Sequence, residues 1–362
     1  MSLKKIAKLA GTSVSTVSRV LNNPEHRCHD RELEEKIWQI ASKENYAPNT
    51  TARNLRKGKG IENSPYIVDI YLTRFDSMDQ DTFFGELFST IKEELMAIGC
   101  ALGEILNAAD ILVLGEETKD TSIHVPYKSS RHIQSERQKN SLAFVEQKEN
   151  TGLIILGKCP ANLIPVLKKR YACIAGIDRN PTEYEYDEVV CNGATAAEKA
   201  VEHLITLGHQ SIAYIGDCSY ESRYVGYYQT LLKHRIPLNH NNVYPTKQTM
   251  EEGNAAMQHI LEEKERPTAI FCANDMTALG VLKALSSYKK KDYLPSVIGI
   301  DNIRESEKTT PMLTTIHIPK KEMAHLALSL LIDRKDGKHS EHVRIELPCR
   351  LIERESCYYH VH

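Results

Sequence analysis

The sequence predicts a short all-α helix-turn-helix headpiece followed by a larger α/β body of parallel sheets covered by helices. Three observations carry this. Residues 3–22, LKKIAKLAGTSVSTVSRVLN, space apolar side chains for two short helices around a glycine. From residue 66 onward, short apolar runs alternate with longer stretches of helical spacing. Charge divides the chain the same way: residues 1–60 hold 12 Lys/Arg against 6 Asp/Glu, and the rest holds 34 against 42. A basic end on an acidic body is the electrostatic footprint of a chain that meets phosphates at one end, although a solvated charged face has the same composition.

In the first helix Leu3, Ile6, Ala7 and Ala10 fall on one face. Gly11 stands where a left-handed turn costs least, and Ser13 is placed to cap the next helix through its hydroxyl. That helix is expected over 14–21, with Val17, Val20 and Leu21 inward. Val14, Ser15, Ser18 and Arg19 are then free to meet base edges or phosphates in a major groove. A third helix follows the polar loop NPEHRCHD, with Leu33, Ile37, Ile40 and Ala41 as its core stripe and the sole tryptophan, Trp38. Pro48 stops it, and Asn49 can cap the basic piece TTARNLRK at 50–57, too short to be a stable helix by itself.

In the body, strands are expected at 66–72, 101–106, 151–157, 172–178, 211–217, 268–275 and 296–301. Helices are expected at 83–99, 194–207, 222–234, 251–264 and 276–286. Ligands of such sheets bind beyond the carboxyl ends of the strands, and several strands end in polar residues: Asp178, Asp217, Asn274-Asp275 and Asp301-Asn302. Asp275 is also placed to cap the helix at Met276. The polar stretch 107–150 reads as a surface insertion or distorted edge.

At 362 residues the chain is long enough for two or three domains, and with 41% hydrophobic and 26% charged residues it is an ordinary globular composition. No apolar run is long enough to span a membrane, and no signal-peptide pattern precedes the first helix. Nine scattered cysteines without a C-x-x-C pair point to reduced thiols in the cytoplasm. No Cys/His cluster has zinc spacing, and neither a metal nor a cofactor is expected. The enzyme signatures G-x-S-x-G, the Walker loop, G-x-G-x-x-G and H-E-x-x-H do not occur.

The run Ala10, Gly11, Ser13, Thr16, Val17, Ser18, Arg19, Val20, Leu21, Asn22 closely resembles the headpiece of the lactose-repressor/galactose-repressor (LacI/GalR) family. Asn49, Ala52 and Leu55 resemble its hinge-helix motif. Residues 200–217, 268–285 and 298–316 look like its effector-binding core, a periplasmic-binding-protein-like fold of two lobes. The resemblance implies a headpiece at 1–47, a hinge helix and linker at 48–60, an N-lobe of 61–190 with 319–344, and a C-lobe of 191–318 with 345–362.

By the same resemblance DNA would be met by Lys4, Thr12, Val14, Ser15, Thr16, Ser18, Arg19, Asn22, Asn49, Ala52, Arg53, Leu55 and Arg56. Leu55 would be the apolar wedge between base steps of the minor groove. The effector would be met by Arg223, Asn274, Asp301 and Asp178, with Tyr71, Thr73 and Phe75 on the N-lobe side. Ile318 and Lys320 depart from the aromatic or glutamine usual past the TTI strand.

The function implied is a sequence-specific DNA-binding repressor of carbohydrate-use genes. It would bind a roughly palindromic operator as a homodimer, controlled by a sugar or sugar phosphate between the lobes. A purine or other co-repressor is the alternative. A solute-binding protein or an α/β enzyme are readings from other classes, opposed by the headpiece and by the missing catalytic motifs.

Overall fold

The computed structural model describes residues 3–14, 16, 17, 20, 33, 36, 37, 40, 65–73, 81–107, 147–178, 180–219, 221–290 and 292–360, with only the backbone of 3–6. The chain forms two units, 1–65 and 66–362. In the first, α1 (Leu3–Ala10) is followed by helical backbone at 14, 16, 17 and 20 and again at 33, 36, 37 and 40. Ala7, Ala10, Val17, Val20 and Ile37 are buried together, with Leu33 and Ile40 packed against them. Among the described residues, the apolar positions of α1 and of these helical stretches therefore make one small core, as their spacing predicts.

The second unit holds two six-stranded sheets. The first contains β1 (Ile67–Leu72), β2 (Ala101–Leu106), β3 (Thr151–Leu156), β4 (Cys173–Asp178), β5 (Asp187–Val190) and β11 (Arg344–Glu346), in the order β11-β5-β4-β3-β1-β2. The second contains β6 (Ile212–Gly216), β7 (Val243–Pro245), β8 (Ala269–Cys272), β9 (Ser296–Asp301), β10 (Thr314–His317) and β12 (Arg350–Ile352), in the order β12-β10-β9-β8-β6-β7. All pairings are parallel except β10 with β12. Buried central strands such as β3 read as continuous apolar runs for this reason.

Helices cover both faces. On the first sheet, α2 (Thr82–Ile98) buries Phe84, Leu87, Ile91 and Leu95 against one face, together with α8 (Lys320–Lys335). On the other face lies α3 (Ile164–Arg170). On the second sheet, α4 (Gly193–Thr206) and α5 (Ser222–Lys233) lie on one face, and α6 (Met250–Glu262) and α7 (Asp275–Ser287) on the other. The α6–α7 crossing is close because Gly253 approaches the Thr277 backbone and Gly280 the backbone of Met250 and Asn254.

Among the described residues the chain passes between the lobes three times, after Val190, after His317 and after Glu346. The last passage lies beyond the boundary expected at 344, because Arg344–Glu346 still pairs with β5. The strand expected to run to 275 stops at Cys272, since Asn274 already caps α7. Within the expected insertion 107–150, residues 108–146 lie outside the described residues. Its end, Lys148, ion-pairs with the buried carboxylate of Asp69 at 2.6 Å, which anchors the return into β3.

Candidate DNA-binding and effector sites

Gly11, at φ 70°, ends α1 in the left-handed conformation that lets the Thr12 N–H reach back to the Ala7 carbonyl at 3.0 Å. Two residues on, the Ser13 hydroxyl oxygen accepts the Thr16 N–H at 3.0 Å and lies 2.8 Å from the Thr16 hydroxyl. The Ser13 carbonyl takes the Val17 N–H at 3.1 Å. A glycine turn and a serine N-cap thus separate α1 from the helical backbone that follows, and the first residue of that backbone, Val14, is exposed. Val14 is 39% exposed, whereas Val17 is fully buried. Thr12 and Thr16 are half-buried at the junction. The side chain of Lys4 lies outside the described residues, as do Ser15, Ser18, Arg19, Asn22, Asn49, Ala52, Arg53, Leu55 and Arg56.

In the second unit, the carboxyl ends of β6, β8 and β9 bring together Arg223, Asn274, Asp275 and Asp301, all buried. Arg223, in the first turn of α5, is 1% exposed. Its Nε and Nη2 donate to the two carboxylate oxygens of Glu221 at 2.8 and 2.9 Å. Nη2 also donates to Gln248 Oε1 at 2.8 Å, and Nη1 to the Ala273 carbonyl at 2.6 Å. Burial opposes the charge, but Glu221, with help from Asp301, overcomes it and holds the guanidinium above its usual pKa.

Asn274 is committed to local structure. Its Oδ1 accepts the Thr277 N–H at 2.9 Å and the Thr277 hydroxyl at 2.6 Å, and its Nδ2 donates to the Gln248 carbonyl at 3.1 Å. Asn274, not Asp275, is therefore the helix cap. Asp275 instead accepts the Thr315 hydroxyl at 2.6 Å and the Ile303 N–H at 3.0 Å, joining the start of α7 to β10 and to the segment just past β9. Burial, and then the neighbouring Asp301, push its carboxyl up to about 8.

Asp301 and Asn302 both take positive φ, 124° and 49°. Lys320 fixes this strained corner, its Nζ donating to the carbonyls of Asp301 at 2.6 Å and Asn302 at 3.2 Å. The same Nζ lies 3.2 Å from the Glu86 carboxylate on α2. Glu86 in turn accepts the Arg304 N–H at 2.9 Å. The Thr82 hydroxyl meets Met276 Sδ at 3.5 Å, and Asn180 accepts the Ser222 N–H at 3.2 Å. These contacts clasp the two lobes across the strand ends.

On the N-lobe side, Asp178 ends β4 partly buried, and its carbonyl accepts the Cys191 N–H at 3.2 Å. The Thr73 hydroxyl donates to the Leu156 carbonyl at 3.1 Å, tying β1 to β3. Tyr71 lies on the face of the first sheet that α3 covers. Its ring is fully buried among Leu153, Ile155, Leu163, Leu167 and Tyr171, because alternate β1 residues face α3. Phe75 lies outside the described residues. Glu221, Gln248 and Glu86 were not among the expected site residues. Glu221 could have been found from its position two residues before Arg223, where a carboxylate pairs with the guanidinium. Gln248 and Glu86 sit in segments with no motif.

His209, at the turn before β6, is structural: its ring nitrogens lie 2.9 Å from the Thr268 and Ser296 hydroxyls, and it reaches the Tyr358 carbonyl at 3.0 Å. Among the described residues, no His/Cys/Asp/Glu group could hold a metal ion, and no helix is long and apolar enough to cross a membrane.

Residues 2–49 match the family described as bacterial regulatory proteins, lacI family, and residues 201–357 match the periplasmic binding protein-like domain. The HTH-type transcriptional repressor PurR of Erwinia tasmaniensis is 29% identical over 365 residues, covering 98% of this chain and 96% of its own length. Among solved structures, the transcriptional regulator CelR–cellobiose complex superposes with a TM-score of 0.64 at 20% identity, over 98% of this chain and 99% of that one. The lac repressor dimer bound to operator and the anti-inducer ONPF gives 0.64 at 21% identity, over 99% of both. With a helix-turn-helix of this geometry and a two-lobed α/β body clasped over a buried arginine, the chain belongs to the LacI family of bacterial regulatory proteins.

Proposed function

We propose that this DNA-binding regulator is a repressor of carbohydrate-use genes. It binds a roughly palindromic operator as a homodimer in the cytoplasm, and a small polyhydroxylated molecule held between its lobes sets its operator affinity. The observation that carries the reading is the Gly11 turn and Ser13-capped helix within the segment that matches the family. A second helix so fixed offers its outer face to a major groove, and a dimer pairs two such faces with two half-sites. The repressor name of the Erwinia relative supports the sign of regulation. The cellobiose complex among the structural neighbours agrees with an effector rich in hydroxyls.

Lobe closure is the coupling element. Glu86 and Lys320 join the lobes along Asp301–Arg304, so a molecule seated against Asp301 and Arg223 alters the same contacts. Coupling is reciprocal, so operator must change effector affinity by the factor by which effector changes operator affinity. The test is operator affinity of the full chain, by fluorescence anisotropy, against a panel of neutral sugars, sugar phosphates and purines. One compound should shift the affinity of the wild type and not of Arg223→Gln. A panel without effect on the wild type, or with equal effect on Arg223→Gln, refutes the placement of the site.

A further inference from the structure

The arginine that would receive the effector is already paired. Among the described residues, four of its five N–H donors are taken by Glu221, Gln248 and Ala273, which leaves one on Nη1. Glu221 is 6% exposed and grips the guanidinium with both oxygens, the geometry a bound carboxylate or phosphate would otherwise use. Asp301, 2% exposed, adds a second negative charge close by. Lys320 is occupied by Glu86 and by two carbonyls.

Gln248 shows the opposite condition. It is 4% exposed, and its Nε2 has no hydrogen-bond partner among the described residues. The amide orientation is fixed by chemistry, since the oxygen must be the atom facing the Arg223 donor. Its backbone is held at φ 67° by Thr246, whose hydroxyl oxygen accepts the Gln248 N–H at 3.3 Å, and by Asn274 on its carbonyl. A buried amide donor without a protein acceptor, on a backbone at positive φ, is available to an acceptor oxygen brought into the site.

We infer that Glu221 and Gln248 are specificity-determining residues: Glu221 closes the Arg223 subsite to carboxylates and phosphates, and Gln248 offers an N–H to an uncharged hydroxyl or carbonyl oxygen. The inference rests on the proposed effector cleft and narrows its ligand to a neutral molecule at this end, removing a sugar phosphate whose phosphate would be held by Arg223. An anion here would have to displace Glu221 into a site that already holds Asp301, and a neutral hydroxyl need displace nothing.

The test uses inorganic phosphate as probe and the full chain, at matched ionic strength. Phosphate should saturably raise the melting temperature of Glu221→Gln, with an affinity on the order of tenfold or more above the wild type, because the guanidinium is uncovered. The gain should vanish in the double variant E221Q/R223Q, which separates this subsite from any phosphate site on the headpiece. Equal phosphate responses in wild type and Glu221→Gln overturn the inference, as does a gain that survives in the double variant.

The wild type alone supplies a second reading that does not depend on the variants folding. The Arg223 Nε–H resonance, assigned by its loss in Arg223→Lys, should not move with phosphate, and a saturable shift overturns the inference. Neither readout uses operator DNA, so failure of the inference is distinct from failure of the proposed regulation.

Discussion

Glu86→Ala removes the carboxylate that reaches from α2 to the Arg304 N–H at 2.9 Å and supports Lys320 at 3.2 Å. The Arg304 bond crosses from one lobe to the other. The Lys320 ion pair lies within the N-lobe but aims the ammonium at the Asp301 and Asn302 carbonyls. Hydrogen bonds to charged groups contribute about 1.5–3 kcal/mol, and the low end applies because the site is partly exposed. Loss of about 1.5 kcal/mol changes the closed-to-open ratio of the lobes roughly tenfold.

Amide hydrogen exchange resolves this, because two reporter amides cross the cleft independently. The Arg304 N–H loses its own acceptor and must exchange faster. The Ser222 N–H, which donates to Asn180 at 3.2 Å, does not touch Glu86. If Glu86 latches the lobes, Ser222 should also exchange roughly tenfold faster in Glu86→Ala, an effect of about 1.5 kcal/mol. Faster exchange at Arg304 with Ser222 unchanged would refute the latch and make Glu86 a local cap.

Three further perturbations follow from the geometry. Asp275 keeps its proton in the folded chain up to about 8 but gives it up near its ordinary value of 3.8 when unfolded, so stability falls as pH rises between those values and levels off above. Asp275→Asn, which removes the titrating carboxyl while its amide oxygen can still accept the Ile303 N–H and its NH2 can donate to the Thr315 hydroxyl oxygen, should flatten that slope in thermal melts, and an unchanged slope would assign it to another group. Gly280→Ala places a methyl group against the Met250 carbonyl and 2.7 Å from the Asn254 nitrogen, both backbone atoms of α6. Overpacking of this kind costs about 1–3 kcal/mol, visible as a melting temperature several degrees lower, and an unshifted melt would show that the helices separate freely. Ser13→Ala removes the N-cap of the second headpiece helix, costing about 1 kcal/mol. Operator affinity should weaken while the melting of the α/β body stays unchanged, and an unaltered operator affinity would contradict the cap's role.

Where the residues carry periodicity, the fold was legible in the sequence. The α2, α4, α5, α6 and α7 helices lie within about two residues of their expected ends, and the long apolar strands sit where they were read. α8 was not legible, because in KKEMAHLALSLLIDRK the apolar Leu326 and Ile332 fall outside the buried stripe of Met323, Ala324, Ala327, Leu328, Leu330 and Leu331, which blurs its period. β5, β7, β11 and β12 have three or four residues each, too few to show alternation. α3, with seven residues and a proline in its first turn, gives no helical period either.

The site was legible in part. Arg223 and Asp301 stand where strand-end and motif reasoning put them, but motif reasoning cannot tell a ligand-facing group from one satisfied by the protein. Asn274 and Asp275 show this, since adjacent polar residues divide capping and strand-end bonding between them. Tyr71 shows it again, because one residue of shift along β1 exchanges the face toward α2 for the face toward α3. Glu86 lies 218 residues from Arg304, a separation no local pattern encodes.

The central claim, operator recognition by the headpiece under effector control, is tested most directly by selecting from a randomised duplex pool with the full chain at two salt concentrations. The sole tryptophan, Trp38, supplies a headpiece fluorescence signal for the titrations. The account predicts recovery of a roughly palindromic site bound at least about a thousandfold tighter than bulk DNA, with a steep loss of affinity as salt rises. Weak binding of equal strength to every sequence, unchanged when the sugar, sugar phosphate and purine panel is present, would contradict it.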